Sequence, residues 1–256
     1  FWPKPNQTDP ASSYMASYPG RSLKSGYALW YYWRLPPPQT SALTVALPWV
    51  GYLAHQLVVW GLTFRAMALR PKYSTTLRSF NWELLLANLL FHLLHFAQTQ
   101  WTYDAIAPQV SISSSQGSVI LLLSMILIIE YQTRAGVWQW PASHDSRFRL
   151  APAPVAFVRR FHGTFAAWAA IYTFWYHPCE STLAHFAGFI LTSMILLQGS
   201  LAYTTVHRNK YWRAFVESYV VIHAVTVAWV NQQGPIWTMF LFGFLLVTVL
   251  SVIPGL

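Results

Sequence analysis

Long apolar segments alternate with short polar loops along this chain. A helix needs about 20 apolar residues to cross the hydrocarbon core of a bilayer, and seven segments come close to this length. They are Ala42–Ala66, Phe80–Tyr103, Ser115–Tyr131, Val155–Tyr176, Leu183–Val206, Trp212–Val230 and Ile236–Ile253. The pattern predicts an all-α, polytopic integral membrane protein with a seven-helix transmembrane bundle.

The basic residues are concentrated in every second loop. The loops after the first, third and fifth segments hold 12 of the 16 Lys and Arg residues, and the three intervening loops hold none. By the positive-inside rule, the basic loops face the cytoplasm or its equivalent, which puts the N-terminus outside and the C-terminus inside. The same distribution accounts for the net charge of +9, so we expect no nucleic-acid partner.

Residues 1–40 differ in composition from the bundle that we predict over residues 41–256. They are rich in Pro, Ser, Tyr and Gly, and they contain a cluster of aromatic residues followed by Arg34 and three prolines. Aromatic rings with a polar group favour the headgroup layer of a membrane. We expect an extramembrane, partly interfacial arm, which lies on the outer surface or packs over the bundle or a neighbouring subunit.

Five of the nine histidines lie inside the apolar segments. A buried imidazole costs free energy unless its polar atoms are satisfied, so such residues are candidates for binding a haem, a metal or a proton. The candidate cofactor-binding residues are His55, His92, His95, His162 and His223. Of these, we take His92, His162 and His223 as the candidate metal ligands.

The second segment carries a polar stripe. At 100° per residue, Asn88, His92, His95, Thr99 and Thr102 fall within an arc of about 80°, while the rest of the helix is mostly Leu, Phe and Ala. A polar stripe on an apolar helix is expected to face the bundle interior or a cavity. Counting from the segment ends puts His55 and His223 near the depth of His92, with His162 closer to the inside face.

Three acids lie near the inside ends of the second, third and sixth segments. The ordinary interpretation pairs Glu83, Glu130 and Glu217 with Arg78, Arg134 and Arg213, which lie four or five positions away. The alternative is an inward-facing group of carboxylates that handles protons or binds a metal.

Three functions remain open from the sequence. The first is transmembrane electron transfer by a non-covalent haem b, since haem iron takes axial imidazoles and no CxxCH site for covalent attachment is present. The second is a non-catalytic subunit of a larger membrane complex or homo-oligomer, which binds lipid or a chlorophyll-type pigment. The third is a membrane enzyme or transporter with a transition-metal or proton site, although none of the short catalytic motifs occurs and no catalytic residue can be named.

Overall fold

A computed structural model of the chain describes helices joined by short loops. The described residues are 41–69, 71–101, 106, 151–176, 183–230 and 241–243, with position 245 and ten positions between 114 and 129. Five helices have complete bounds: α1 (Ala42–Leu69), α2 (Ser79–Trp101), α3 (Pro152–Tyr176), α4 (Leu183–Ser200) and α5 (Lys210–Val230). No strand is found among these residues, which confirms the all-α class.

The five helices follow the predicted segments to within a few residues, except that α4 ends at Ser200 rather than at Val206. The arm at residues 1–40 and most of the seventh segment lie outside the described residues, and the third segment is described at nine of its 17 positions. Among the described helices, only α1 is both long and apolar enough to cross a bilayer, and α4 contains a shorter apolar stretch, Phe186–Ser200. The described helices therefore contain one candidate span, and they do not confirm seven.

Side chains at the helix starts cap the backbone groups that a first turn leaves unpaired. At α1, the Ser41 hydroxyl accepts from the Thr44 amide, and the Thr44 hydroxyl accepts from the Ser41 amide. At α5, the Asn209 side-chain oxygen accepts from the amides of Tyr211 and Trp212. These two helices thus begin where the sequence supplies a capping oxygen.

Four of the helices surround a common interior. Helix α1 packs against α2 and α3, while α4 packs against α2, α3 and α5. The contacts of α1 with α2 run from His55–Asn88 at mid-helix to Arg65–Glu83 near the end, so this pair is antiparallel. Helix α5 lies outside the four-helix group and joins it through α4.

The distribution of polarity is inverted relative to that of a water-soluble bundle. Leucines of α1 and α2 form an exposed surface that we call the outer leucine face: Leu43, Leu47, Leu53, Leu57, Leu86, Leu89, Leu90, Leu93 and Leu94. At 100° per residue, these positions fall along one side of each helix. The buried side chains of the same two helices include His55, Gln56, Asn88, His95 and Gln98.

Two loops meet at one end of the bundle. Ser74, between α1 and α2, pairs with Thr204, between α4 and α5, as an isolated parallel bridge. The Asn81 side chain donates to the carbonyl oxygens of Ser200 and Ala202, at 2.7 and 2.9 Å, and so fixes the end of α4. Tyr203 follows with a φ of 59°, in the left-handed region, where the chain leaves the helix.

Candidate functional site

His55 lies at the centre of the described helices and is fully buried. The Trp175 indole N–H donates to its Nδ1 at 3.2 Å. Since an indole can only donate, Nδ1 accepts and the ring proton lies on Nε2, which donates to the Asn88 side-chain oxygen at 2.8 Å. Both ring nitrogens of His55 are therefore used within the protein.

The hydrogen bonds of His55 continue through α2 into α4. The Asn88 side-chain NH2 donates to the Ser200 hydroxyl at 3.0 Å, and that hydroxyl donates to the Leu196 carbonyl at 2.8 Å. From Trp175 to Leu196, four hydrogen bonds run in one direction through α3, α1, α2 and α4. Hydrogen bonds in series polarise and strengthen one another, so the chain links all four helices.

His92 is the second bonded imidazole. Its Nδ1–H donates to the Asn88 backbone carbonyl at 2.7 Å, because a carbonyl can only accept. Its Nε2 lies 3.0 Å from the Ser193 hydroxyl, which also lies 2.7 Å from the Phe189 carbonyl. That hydroxyl has a single proton, so it donates either to His92 or to Phe189.

Phe174 lies between the rings of three histidines. Its ring centroid is 6.1 Å from that of His55, 4.4 Å from that of His92 and 4.6 Å from that of His95. His95 is buried, and its Nδ1–H donates to the Gln98 side-chain oxygen at 3.0 Å. We call His55, His92, His95, Phe174 and Trp175 the histidine core, in which aromatic carbon packs directly against the imidazoles.

Gly51 lets Trp175 approach α1. A Cβ at this position would lie 2.2 Å from Cη2 of the Trp175 ring, which is far inside van der Waals contact. The ring cannot retreat without breaking its hydrogen bond to His55. The close approach of α1 and α3 thus depends on the missing side chain at residue 51.

His223, on α5, lies apart from the histidine core and faces Gly188 of α4. A Cβ on Gly188 would lie 2.9 Å from Cε1 of the His223 ring. The Nδ1 of His223 is buried and has no hydrogen-bond partner among the described residues. Gln56 is similar, since both polar atoms of its buried side chain lack a described partner.

The structure places His162 on the surface of α3, where its Nδ1–H donates to the Arg159 carbonyl at 2.8 Å. Its ring centroid lies 6.4 Å from that of His207, in the loop between α4 and α5. Burial lowers the pKa of His207, its hydrogen bond to the Gln198 carbonyl raises it, and the charges of His162 and Arg213 lower it further. Sequence reasoning missed His207, because it lies inside the predicted basic loop.

The predicted polar stripe of α2 is confirmed for Asn88, His95 and Thr99, which are all buried. The predicted partner of Glu83 is wrong. Glu83 pairs with Arg65 of α1 at 2.6 Å, because two antiparallel helices bring residues 18 positions apart into contact. Arg78 instead donates to the Lys72 carbonyl. Glu130, Arg134 and Thr102 lie outside the described residues, and the pair Glu217–Arg213 stays a prediction.

The structure brings His55, His92 and His95 together and leaves His162 and His223 at two other places. Within the described residues, no group of three or more His, Cys, Asp or Glu side chains could hold a metal ion. No protein family, curated protein or solved structure matches this chain.

Proposed function

We propose that this chain is a multi-pass integral membrane protein and a non-catalytic subunit of a larger membrane assembly. In this proposal its seven helices span the bilayer, with the N-terminus outside and the C-terminus inside. The observation that carries the proposal is the inverted polarity of α1 and α2, whose leucines are exposed and whose His, Asn and Gln side chains are buried.

In a bilayer, this inversion has a physical reason. The outer leucine face meets hydrocarbon without cost, whereas an imidazole or amide must find its partners inside the protein. His55 and Asn88 do so by bonding to each other and to side chains of α3 and α4. We therefore assign the histidines of the core to joining helices rather than to ligating a metal, since His55 would have to give up Trp175 or Asn88 to bind one.

The outer leucine face is apolar, so we expect apolar partners to cover it. Leu53 and Leu57 on α1, and Leu89 and Leu93 on α2, are all more than half exposed, and a neighbouring apolar helix or lipid tails would cover them. Lipid and further membrane subunits, including a second copy of this chain, are the partners that we propose for it. The proposal gives the chain no catalytic residue.

The test begins with membrane extraction of the full chain. We expect it to stay in the pellet in alkaline carbonate and to dissolve only in detergent. A membrane-impermeant maleimide applied from outside should label the single cysteine, Cys179. In a Cys179→Ser background, it should label Thr75→Cys, in the exposed loop before α2, only after permeabilisation. Release by carbonate, or labelling of both positions from one side, would contradict the proposal.

A second candidate function is the binding of a haem b or of a chlorophyll-type pigment by His223. The buried Nδ1 of His223 has no described partner, and one imidazole suffices as the axial ligand of magnesium in a pigment. The absorption spectrum of the purified chain tests this candidate. A Soret band that His223→Leu removes and His55→Leu retains would support it, and a colourless preparation would exclude it.

A further inference from the structure

Two histidines meet at the end of the bundle where the basic loops lie, away from the histidine core. His162 comes from α3 and His207 from the loop between α4 and α5, and their ring centroids are 6.4 Å apart. His162 is exposed, so the pair opens towards the surrounding medium.

Both rings are held in the same way. The Nδ1–H of His162 donates to the Arg159 carbonyl, and the Nδ1–H of His207 donates to the Gln198 carbonyl, each at 2.8 Å. This fixes the proton of each neutral ring on Nδ1 and leaves a lone pair on Nε2. Neither Nε2 has a partner among the described residues, so these two atoms are the ones that an outside ligand would meet.

The loop that carries His207 is built to hold it in place. The Gln198 side chain donates from Nε2 to the His207 carbonyl at 3.0 Å and accepts from the Trp212 indole at 2.6 Å. The His207 amide donates to the Thr204 hydroxyl at 3.1 Å. The ring is thus positioned by α4, by α5 and by its own loop before any ligand binds.

Arg213 adds a fixed positive charge beside this pair. It lies in the first turn of α5, next to Trp212, whose indole N–H donates to the same Gln198 that holds the His207 ring. The Arg213 Nε is buried, and it has no hydrogen-bond partner among the described residues. The described residues supply no acceptor to the Arg213 guanidinium, which favours an anion that brings its own oxygen atoms, whereas a metal cation would be repelled by Arg213.

We infer that His162, His207 and Arg213 bind a phosphate group with a titratable oxygen, either inorganic phosphate or the headgroup of a phosphomonoester lipid. One oxygen accepts from the Arg213 guanidinium, and another shares its proton with an imidazole Nε2. The second pKa of a phosphate monoester is about 6, which lets an imidazole and the phosphate share a proton. A phosphodiester has no such proton, so the site should bind phosphomonoesters and inorganic phosphate in preference to phosphodiesters.

The experiment uses the full chain in detergent for inorganic phosphate and in nanodiscs for lipids. Calorimetry measures the phosphate affinity, and native mass spectrometry counts retained lipid in nanodiscs of phosphatidylcholine with either phosphatidic acid or phosphatidylglycerol. We expect phosphatidic acid to be retained and phosphatidylglycerol to be released. Binding of free phosphate would identify a soluble ligand, and binding of phosphatidic acid alone would identify the lipid headgroup.

Three variants and a control locate the site. His162→Gln, His207→Gln and Arg213→Gln should each weaken binding at least tenfold, whereas Arg160→Gln should change it less than twofold. Arg160 lies over the Phe161 ring and carries the same charge as Arg213. Equal losses in both arginine variants would overturn the inference, because they would indicate diffuse charge. Retention of both lipids, zinc binding in place of phosphate, or no binding at all would overturn it as well.

His162→Gln also protects the test against misfolding, since this side chain is exposed and its described hydrogen bond is to a carbonyl of its own helix. The inference does not depend on the proposed membrane function. Phosphate binding could fail in a chain that carbonate does not extract, and it could succeed in one that carbonate releases. The phosphate-binding measurement and the carbonate extraction can therefore fail independently of each other.

Discussion

His55 and His223 are both histidines of apolar helices, and they differ in what surrounds their nitrogens. His55 has a partner for each ring nitrogen and joins α1 directly to α2 and α3. The His223 ring lies against Gly188 of α4, and its buried Nδ1 has no partner among the described residues. An embedded histidine is therefore a candidate ligand only where the surrounding protein leaves a ring nitrogen without a hydrogen bond.

Replacing each histidine by leucine tests this comparison most strongly. His55→Leu leaves the Asn88 side-chain oxygen without its donor and the Trp175 indole N–H without its acceptor, and we expect a loss of about 3 kcal/mol in the free energy of unfolding. His223→Leu removes an unpaired nitrogen, and we expect a change within about 1 kcal/mol. Unfolding in detergent, followed by circular dichroism, measures both free energies. Equal losses of stability in the two variants would show that the hydrogen bonds of His55 do not distinguish it from His223.

Gly51 and Gly188, which lie beside Trp175 and His223, allow a second test of the difference between the two histidine regions. Gly51→Ala would place a methyl group against the Trp175 ring, and we expect it to cost about 2 kcal/mol in the same unfolding experiment. Gly188→Ala should cost less, because the His223 ring has no described hydrogen bond at Nδ1 that prevents its rotation. Gly61→Ala is the control, since no atom lies within 4 Å of the added Cβ, and it should be neutral or slightly stabilising.

His207 offers a pH-dependent test outside the apolar helices. Its pKa in the folded chain lies below the ordinary 6.5, so below pH 6.5 the unfolded chain binds more protons than the folded one. The contribution of His207 to stability is complete above pH 6.5 and is lost as the pH falls towards the lowered pKa. Thermal unfolding from pH 7.5 to pH 5 should show this loss, and His207→Gln should reduce it. An unchanged pH profile in the variant would count against this assignment.

The smallest effect is expected at the ion pair on the surface. Arg65 and Glu83 lie 2.6 Å apart, with 54% and 36% of their side chains exposed. Exposed pairs contribute little because solvent screens them, so Arg65→Gln should cost no more than about 0.5 kcal/mol. The loss should vanish at 1 M salt, where His55→Leu should keep its full effect. A salt-independent loss at Arg65 would show that this pair is not screened.

Helix positions and the inward side of α2 were predictable, because both follow from residues close together in the sequence. The partners of the buried groups were not. Trp175 lies 120 positions after His55, and no periodicity connects the two. The pairing of Glu83 failed for the same reason, since its true partner belongs to another helix. His207 was missed because a loop histidine carries no signal until folding brings it to His162.

The long separation between His55 and Trp175 also has a consequence for biosynthesis. A ribosome adds about 5 to 20 residues per second, so Trp175 is made on the order of ten seconds after His55. Asn88 follows only 33 residues behind and can reach His55 much earlier. During this delay, the newly synthesised α1–α2 hairpin contains the His55 imidazole with Asn88 as its hydrogen-bond partner but without Trp175. A chaperone or insertion factor that shelters such a hairpin would be needed only until α3 emerges.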